Sequence, residues 1–171
     1  SSSERGSSRE SGGNNTMIGN LIAVGATSAA RNTIVGDQAG RCLVDTGYNA
    51  LFGAYAGQRM RGAYNVAFGK GALGGSGTAA NNTGGCNIAI GKEAGTGMTS
   101  GAQNVFIGRC AGASATSSSG SILIGTCAGA VNTGDDNVMI GHLAGCSNVG
   151  GAGQNNIIIG KYAASNLTSG S

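Results

Sequence analysis

A short phrase recurs nine times along this chain, and its spacing constrains the fold more than any other feature. Each copy reads Asn, three apolar residues, Gly, two variable residues and then usually Ala-Gly, as in the segment from Asn87 to Gly95. Successive copies begin 17, 17, 16, 22, 17, 17, 16 and 19 residues apart. That length suits one coil of chain with two short strands and two corners, so the repeat predicts a solenoid.

The composition argues against an ordinary globular core but does not indicate disorder. The 171 residues include 35 Gly, no Pro and no Trp, which leaves few large side chains for a conventional interior. The glycines and apolar residues are nevertheless in register with the repeat, which a disordered tract has no reason to maintain. We therefore predict an all-β protein, a parallel β-solenoid or β-roll of about nine coils of 16–22 residues.

The regions outside the repeats are short and polar. Residues 1–13 contain no apolar side chain and are predicted to form an arm or linker. The repeats occupy residues 14–164, and residues 165–171 are predicted to be a C-terminal tail. No apolar run approaches the ~18 residues of a membrane span, so no membrane insertion is predicted. A net charge of +3, spread over the whole chain, does not predict nucleic-acid binding either.

Stacking the copies gives columns whose residue types predict where the side chains point. The third apolar position holds large β-forming residues from Ile18 to Ile159, and by period-two alternation it shares a side with the first position. We expect these two columns to face into the coil. The middle position must then face outward, although it is also apolar, and so it needs a cover supplied by other copies. The predicted subunit interface comprises Ile34, Leu51, Phe106, Leu123, Met139 and Ile158.

Three further columns predict the corners of the coil. A Gly follows every apolar triplet, from Gly19 to Gly160, which indicates positive φ or a close backbone approach. An Ala column, from Ala39 to Ala163, is expected to point inward. The Asn column is expected to stack its amides, each donating to the next rung; the alternative is a turn residue that tolerates left-handed φ. The predicted ladder consists of Asn15, Asn32, Asn49, Asn65, Asn87, Asn104, Asn137 and Asn156, with Ser121 in place of Asn in the seventh copy.

Two columns carry reactive or charged side chains. Cys110 and Cys127 occupy the same column on adjacent rungs, where Cα atoms about 4.8 Å apart allow a disulfide, with two packed thiols as the alternative. The column after the corner Gly supplies a basic edge for an anionic ligand such as an acidic polysaccharide. The alternative is a solvated edge that discourages strand pairing. The cations of this edge are Lys70, Lys92, Arg109 and Lys161.

No catalytic, cofactor-binding or metal-binding residues are predicted. His142 is the only histidine, and the carboxylates lie in different columns or loops, so no acid–base pair or triad can be assembled. Neither Lys70 nor Lys92 is followed by Ser or Thr, as a phosphate-binding loop requires. No CxxC motif or other zinc-ligand spacing occurs. We therefore predict a protein without enzymatic activity and without a cofactor.

Three segments, from Asn87 to Gly95, Asn104 to Gly112 and Asn137 to Gly145, carry a resemblance to known repeats. They resemble the heads of trimeric autotransporter adhesins and, more closely, the Asn-x-x-Ile-Gly-x-x-Ala-Gly repeats of tail-fibre and adhesin-like proteins of phages and large viruses. The resemblance spans residues 15–164. It implies a trimer of parallel coils, with the middle column toward the partner subunits, that serves as the shaft or head of a fibre. The adhesin heads differ in having a shorter unit and in usually lacking cysteine.

The combined prediction is a structural, extracellular fibre protein of a cell or virion surface, whose partner is a second and third copy of itself. One alternative is a subunit that polymerises head to tail into a filament. Its basis is that solenoids usually carry polar caps, whereas the last rung, from Asn156 to Gly160, is among the most apolar. A third class is an adhesin module that binds a host-surface glycan. That class needs a flat polar or Thr-rich face, and no Thr column is continuous.

Overall fold

A computed structural model of the chain describes residues 13–23, 28–75, 82–132, 134–147 and 153–165. These residues form nine parallel strands in a single sheet and contain no helix, so the predicted parallel β-solenoid is confirmed. The strands follow chain order across the sheet, one strand per coil. They are β1 Thr16–Ile18, β2 Thr33–Val35, β3 Ala50–Phe52, β4 Val66–Phe68, β5 Ile88–Ile90, β6 Val105–Ile107, β7 Ile122–Ile124, β8 Val138–Ile140 and β9 Ile157–Ile159.

The strands pair in register at every step, so each column of the sequence repeat is also a column in space. Val66 pairs with Ile88 even though the step between these two coils is the longest of the eight. The extra residues of that coil therefore leave the sheet undisturbed. With rungs about 4.8 Å apart, nine strands make a sheet about 38 Å long.

The middle column faces into the coil, which reverses the predicted orientation of the strands. Ala89 is fully buried, whereas Ile88 and Ile90 on either side of it are 38% and 39% exposed. The predicted subunit interface is therefore wrong, because its residues are already buried within one copy of the chain. They form the interior core: Ile34, Leu51, Phe106, Leu123, Met139 and Ile158.

The narrowness of the coil explains this reversal. The Ala column also points inward as predicted, and Ala94 and Ala111 are fully buried. A Cβ placed on Gly112 would lie 2.9 Å from two ring carbons of Phe106, so a single large side chain already fills the space at its level. Two large inward side chains per strand, as the sequence-based orientation required, would overfill the coil.

The corner glycines are required by both of the reasons that the sequence suggested. All nine, from Gly19 to Gly160, have φ between +126° and +144°, a region that side chains rarely adopt. A Cβ on Gly108 would also lie 2.5 Å from the carbonyl oxygen of Gly125 in the next coil. The successive corners therefore pack backbone on backbone.

Each described coil has one strand, whereas the repeat length predicted two. Beyond the corner, residues such as Glu93 and Cys110 have φ of +59° and +57°, so the chain there is turned and not extended. Hydrogen bonds between coils continue nevertheless. The N–H of Gly95 donates to the carbonyl of Ala111 at 2.9 Å, and that of Gly112 donates to Ala128 at 3.0 Å. The side of the coil away from the sheet is thus also bonded from rung to rung.

Candidate self-association face

A ladder of buried Asn side chains runs along the inside of the coil beside the sheet. The Oδ1 atom of Asn87 accepts hydrogen bonds from both the backbone N–H and the Nδ2 of Asn104, each at 3.0 Å. The Nδ2 of Asn104 also donates to the carbonyl of Ser118 at 2.7 Å, across its own coil. Donation runs toward the preceding coil. The predicted amide-to-amide ladder is confirmed for Asn32, Asn49, Asn65, Asn104 and Asn156, whereas Asn87 reaches Asn65 through its backbone N–H only. The members of the ladder are Asn15, Asn32, Asn49, Asn65, Asn87, Asn104, Asn137 and Asn156.

In the seventh coil Ser121 takes the place of Asn, and the hydrogen bonds donated by backbone N–H groups along the ladder are kept. The N–H of Ser121 donates to Oδ1 of Asn104 at 2.9 Å, and the N–H of Asn137 donates to the Ser121 hydroxyl at 3.2 Å. The Nδ2 of Asn137 donates instead to Oδ1 of Asn132 at 3.2 Å. Asn132 is buried, three residues after Gly129, at a position that holds Met98 two coils earlier. Sequence reasoning missed this buried polar residue.

The Asn ladder also fixes which side of each strand faces out. In an extended segment, residues two apart share a side, so Asn and the middle residue of each triplet point the same way. A buried amide needs hydrogen-bond partners, which the coil interior supplies through the neighbouring Asn and a carbonyl such as that of Ser118. The middle column therefore lies inside with the Asn column. This relation is the sequence signal from which the orientation could have been predicted.

The first and third columns form a continuous apolar surface on the outside of the sheet, which we call the outward face. It contains no charged residue, and only two of its members, Thr16 and Thr33, are polar. Three residues wide and nine strands long, it measures about 10 Å by 38 Å. Its members are Thr16, Thr33, Ala50, Val66, Ile88, Val105, Ile122, Val138 and Ile157 of the first column, and Ile18, Val35, Phe52, Phe68, Ile90, Ile107, Ile124, Ile140 and Ile159 of the third.

Aromatic rings stack in pairs at the level of β3 and β4. The ring centroids of Phe52 and Phe68, both on the outward face, lie 5.5 Å apart with a 30° tilt. Those of Tyr48 and Tyr64, one residue before the Asn, lie 4.8 Å apart and nearly parallel. Phe68 remains 57% exposed, so an aromatic surface is open to a partner at this level.

The four cations of the predicted basic edge are all exposed. Lys92 lies 3.6 Å from a carboxylate oxygen of Glu93, and Lys161 lies 5.2 Å from the centre of the Tyr162 ring. Lys70 and Arg109 occupy the same column on the rungs next to Lys92. Binding of an anionic ligand to Lys70, Lys92, Arg109 and Lys161 stays a prediction.

Cys110 and Cys127 are free thiols on adjacent rungs, so the disulfide that the sequence allowed is not formed in this structure. The Sγ of Cys110 instead donates to a carboxylate oxygen of Glu93 at 3.6 Å. Burial raises the pKa of the Cys110 thiol, and the neighbouring Cys127 and the hydrogen bond to Glu93 raise it further. The thiol form of Cys110 is therefore favoured.

The described residues contain no cluster of three or more His, Cys, Asp or Glu side chains placed to hold a metal ion. None of the described residues belongs to a helix long and apolar enough to cross a membrane. Comparisons with known protein families, with characterised proteins and with solved structures find no match to this chain.

Proposed function

We propose that this protein is a structural, non-enzymatic component of an extracellular fibre, forming its rigid shaft or head by association of several copies through the outward face. The observation that carries the proposal is that a single copy leaves a long apolar strip exposed while its interior is already filled. Ile88, Ile90 and Phe68 all lie on this strip. At about 400 Å², the strip matches the largest apolar patch of a typical monomer, and such patches are often functional.

The free energy available from the strip is large enough for association. Its projected area is about 400 Å² from the strand dimensions. At roughly 25 cal/mol per Å², burying it is worth about 10 kcal/mol per copy. Two copies would gain about twice that, against an association cost of about 4–15 kcal/mol. Two strips together give about 800 Å², an area at the low end for protein interfaces, so packing quality and not area alone sets the strength of association. A ring of three copies is the number that the resemblance implies.

A second copy of the same chain is the partner that fits the strip best. The side chains of the face repeat once per rung, about every 4.8 Å, over nine rungs. Another surface with the same period can interdigitate with it along its whole length, whereas a surface without that period would meet it at scattered points. The absence of charge on the face also removes like-charge repulsion between identical copies.

The bonded interior supports the mechanical role. Backbone hydrogen bonds link successive coils both in the sheet and on the opposite side, and the Asn ladder adds side-chain bonds between them. Bending the rod would break several of these bonds at once, so the coil is expected to be stiff. A stiff rod that exposes an adhesive strip is suited to bundling into a shaft.

Light scattering coupled to size-exclusion chromatography tests the proposal on the full chain. Wild type is expected to elute as a small oligomer. I88T/I90T removes apolar surface from the outward face and is expected to dissociate. The variant should keep its strand, because Thr is a good strand residue that already stands at Thr16 and Thr33. Thr99→Ala/Thr116→Ala, which leaves the outward face intact, is the control and is expected to remain oligomeric. A wild-type protein that is monomeric at tens of micromolar would overturn the proposal.

Negative-stain microscopy of the same sample distinguishes the two fibre hypotheses. Short rods of uniform length are expected for lateral bundling through the outward face. Long unbranched fibres formed by the purified chain would favour the head-to-tail filament instead. In that case I88T/I90T would still form fibres, because its substitutions lie on the side of the rod.

A further inference from the structure

We propose that an aromatic patch at the level of β2 to β4 supplies the strongest contacts between copies and extends their interface beyond the outward face. The extension is onto the column one residue before the Asn ladder, which we call the preceding column. This inference rests on the proposed self-association and adds to it the residues that give it strength. The aromatic patch comprises Arg31, Tyr48 and Tyr64 of the preceding column and Phe52 and Phe68 of the outward face.

The preceding column lies beside the outward face. Tyr48 and Tyr64 stand two residues before Ala50 and Val66, so their Cα atoms lie within about 7 Å of the first column. Both tyrosines are exposed, at 48% and 59%. A partner that covers the outward face at this level therefore reaches the tyrosine side chains as well.

Contacts within one copy already hold the side chains of the aromatic patch in place. The Nη1 of Arg31 donates to the hydroxyl oxygen of Tyr48 at 3.0 Å, and the guanidinium carbon lies 5.3 Å from the centre of that ring. The ring of Tyr48 stacks on that of Tyr64, as Phe52 pairs with Phe68. A side chain that is ordered before binding loses less conformational freedom on association, so more of its contact energy is kept.

Residue type distinguishes this level of the rod from the others. Tyr and Arg are enriched among the residues that dominate binding at protein interfaces, whereas Val and Thr are under-represented. Outside the aromatic patch, the outward face carries only aliphatic residues and threonine. A second copy is the partner that fits, because dominant residues tend to pair across an interface and a second copy presents the same patch.

Local backbone preference does not account for the two tyrosines. Tyr48 and Tyr64 have φ of +61° and +62°, a left-handed conformation that Asn adopts more readily than Tyr. Asn occupies the same column at Asn14 and Asn155, with φ of +63° and +60°. The tyrosines therefore supply large rings at a position where the backbone itself favours a smaller residue.

The double variant Y48N/Y64N tests the proposal, with Y162N as its matched control. Tyr162 has a similar exposure of 52% and a similar φ of +58°, but it follows the corner at Gly160 and lies outside the aromatic patch. Dissociation constants are measured by light scattering over a dilution series of the full chain. Y48N/Y64N is expected to weaken association at least about tenfold, and Y162N less than about twofold.

Urea denaturation in dilute solution separates a role between copies from a role within one copy. Because Asn suits the left-handed backbone, Y48N/Y64N is expected to keep the wild-type midpoint within about 0.3 M despite the loss of the ring stack. A variant that is less stable when dilute and yet associates like wild type would show that the stack serves the single copy only. That result would overturn the proposal.

A pair of single variants keeps the test valid if the double variant folds poorly. Y64N leaves the contact between Arg31 and Tyr48 in place and is expected to weaken association about fivefold. Y64F keeps the ring and is expected to stay within about twofold of wild type. A Y64F variant as weak as Y64N would contradict a role for the ring.

The remaining outcomes separate the aromatic patch from the self-association itself. An oligomer that Y48N/Y64N leaves as tight as wild type, or that Y162N weakens equally, would overturn the role of the patch and leave the proposed function standing. A wild-type chain that is monomeric at tens of micromolar would overturn both.

Discussion

Replacing a phenylalanine by alanine at two positions, one inward and one outward, tests the orientation of every strand. Phe106 lies in the middle column of β6 and is fully buried, whereas Phe68 lies in the third column of β4 and is 57% exposed. The chemical change is identical at both sites. The difference in unfolding free energy therefore reports which side of the strand faces the coil interior.

The expected magnitudes differ clearly. Phe106→Ala removes a ring that packs against the backbone of Gly95 and Gly112, in a coil with no second large side chain to collapse into the space. A loss of about 3–5 kcal/mol follows, as for other fully buried Phe→Ala changes. Phe68→Ala forfeits less than half of the burial of one Phe side chain within its own copy. Its cost is therefore about 1 kcal/mol.

Urea denaturation followed by circular dichroism measures the difference, with both variants compared at low protein concentration and across a concentration series. With a slope of about 2–3 kcal/mol per molar, Phe106→Ala is expected to lower the midpoint by about 1–2 M at every concentration. Phe68→Ala is expected to move it little when copies are apart and more when they associate. Hydrogen exchange should place the loss in Phe106→Ala around β5 to β7, because repeats contact only their neighbours.

Two results would refute this reasoning. The first is a Phe68→Ala variant that loses as much stability as Phe106→Ala in dilute solution. The second is a Phe106→Ala variant whose loss appears only at concentrations where copies associate. The first would mean that the third column also contributes to the interior, and the second that the middle column faces a partner subunit, as the sequence alone suggested.

Three further predictions follow from other columns. Gly108→Ala forces a side chain to φ +128° with its Cβ 2.5 Å from the Gly125 carbonyl oxygen, so we expect loss of folded protein, measured as soluble yield and circular dichroism. Gly13→Ala, which has nothing within 4 Å, is expected to behave as wild type. Asn104→Ala removes side-chain hydrogen bonds with Asn87, Ser118 and Ser121, so we expect it to lower the free energy of unfolding, measured by urea denaturation, by about 2–4 kcal/mol. Replacing the exposed Asn20 by Ala is expected to lower it by less than about 0.5 kcal/mol. Glu93→Gln removes a group that raises the pKa of Cys110, so alkylation of Cys110 at pH 8, followed by peptide mass spectrometry, should become faster. An unchanged or slower rate would contradict the Cys110–Glu93 contact.

The cysteine contact also sets a direction for stability against pH. The folded-state pKa of Cys110 is raised, so the native state binds the proton of this thiol more tightly than the unfolded chain does. Its contribution to stability is present below the thiol's ordinary pKa and is lost as the pH rises through the folded-state value. Wild type should therefore lose slightly more stability between pH 8 and pH 10 than Cys110→Ser, as measured by urea midpoints.

The repeat determined the fold because each of its columns has a local physical reason. A Gly at every corner indicated positive φ and close backbone approach, and both are found at Gly108. The spacing between Asn residues set the register of all nine strands, including the step from Val66 to Ile88 across the longest connection. The Asn ladder followed from stacking identical amides, since each supplies a donor and an acceptor to the next rung.

What the tertiary structure decided is which side of each strand is inside, because the sequence places the middle column on the same side as the Asn column but does not say that the Asn ladder is buried. Three consecutive apolar residues, such as Ile122, Leu123 and Ile124, give no alternation from which to choose, so the larger columns were assigned to the interior. The folded coil is too narrow for that choice. It accepts one side chain from the middle of each strand together with the Asn amide, an Ala and one further residue such as Leu43 or Met60. It turns Ile122 and Ile124 outward, because interior volume is set by the path of the whole coil and not by any single strand.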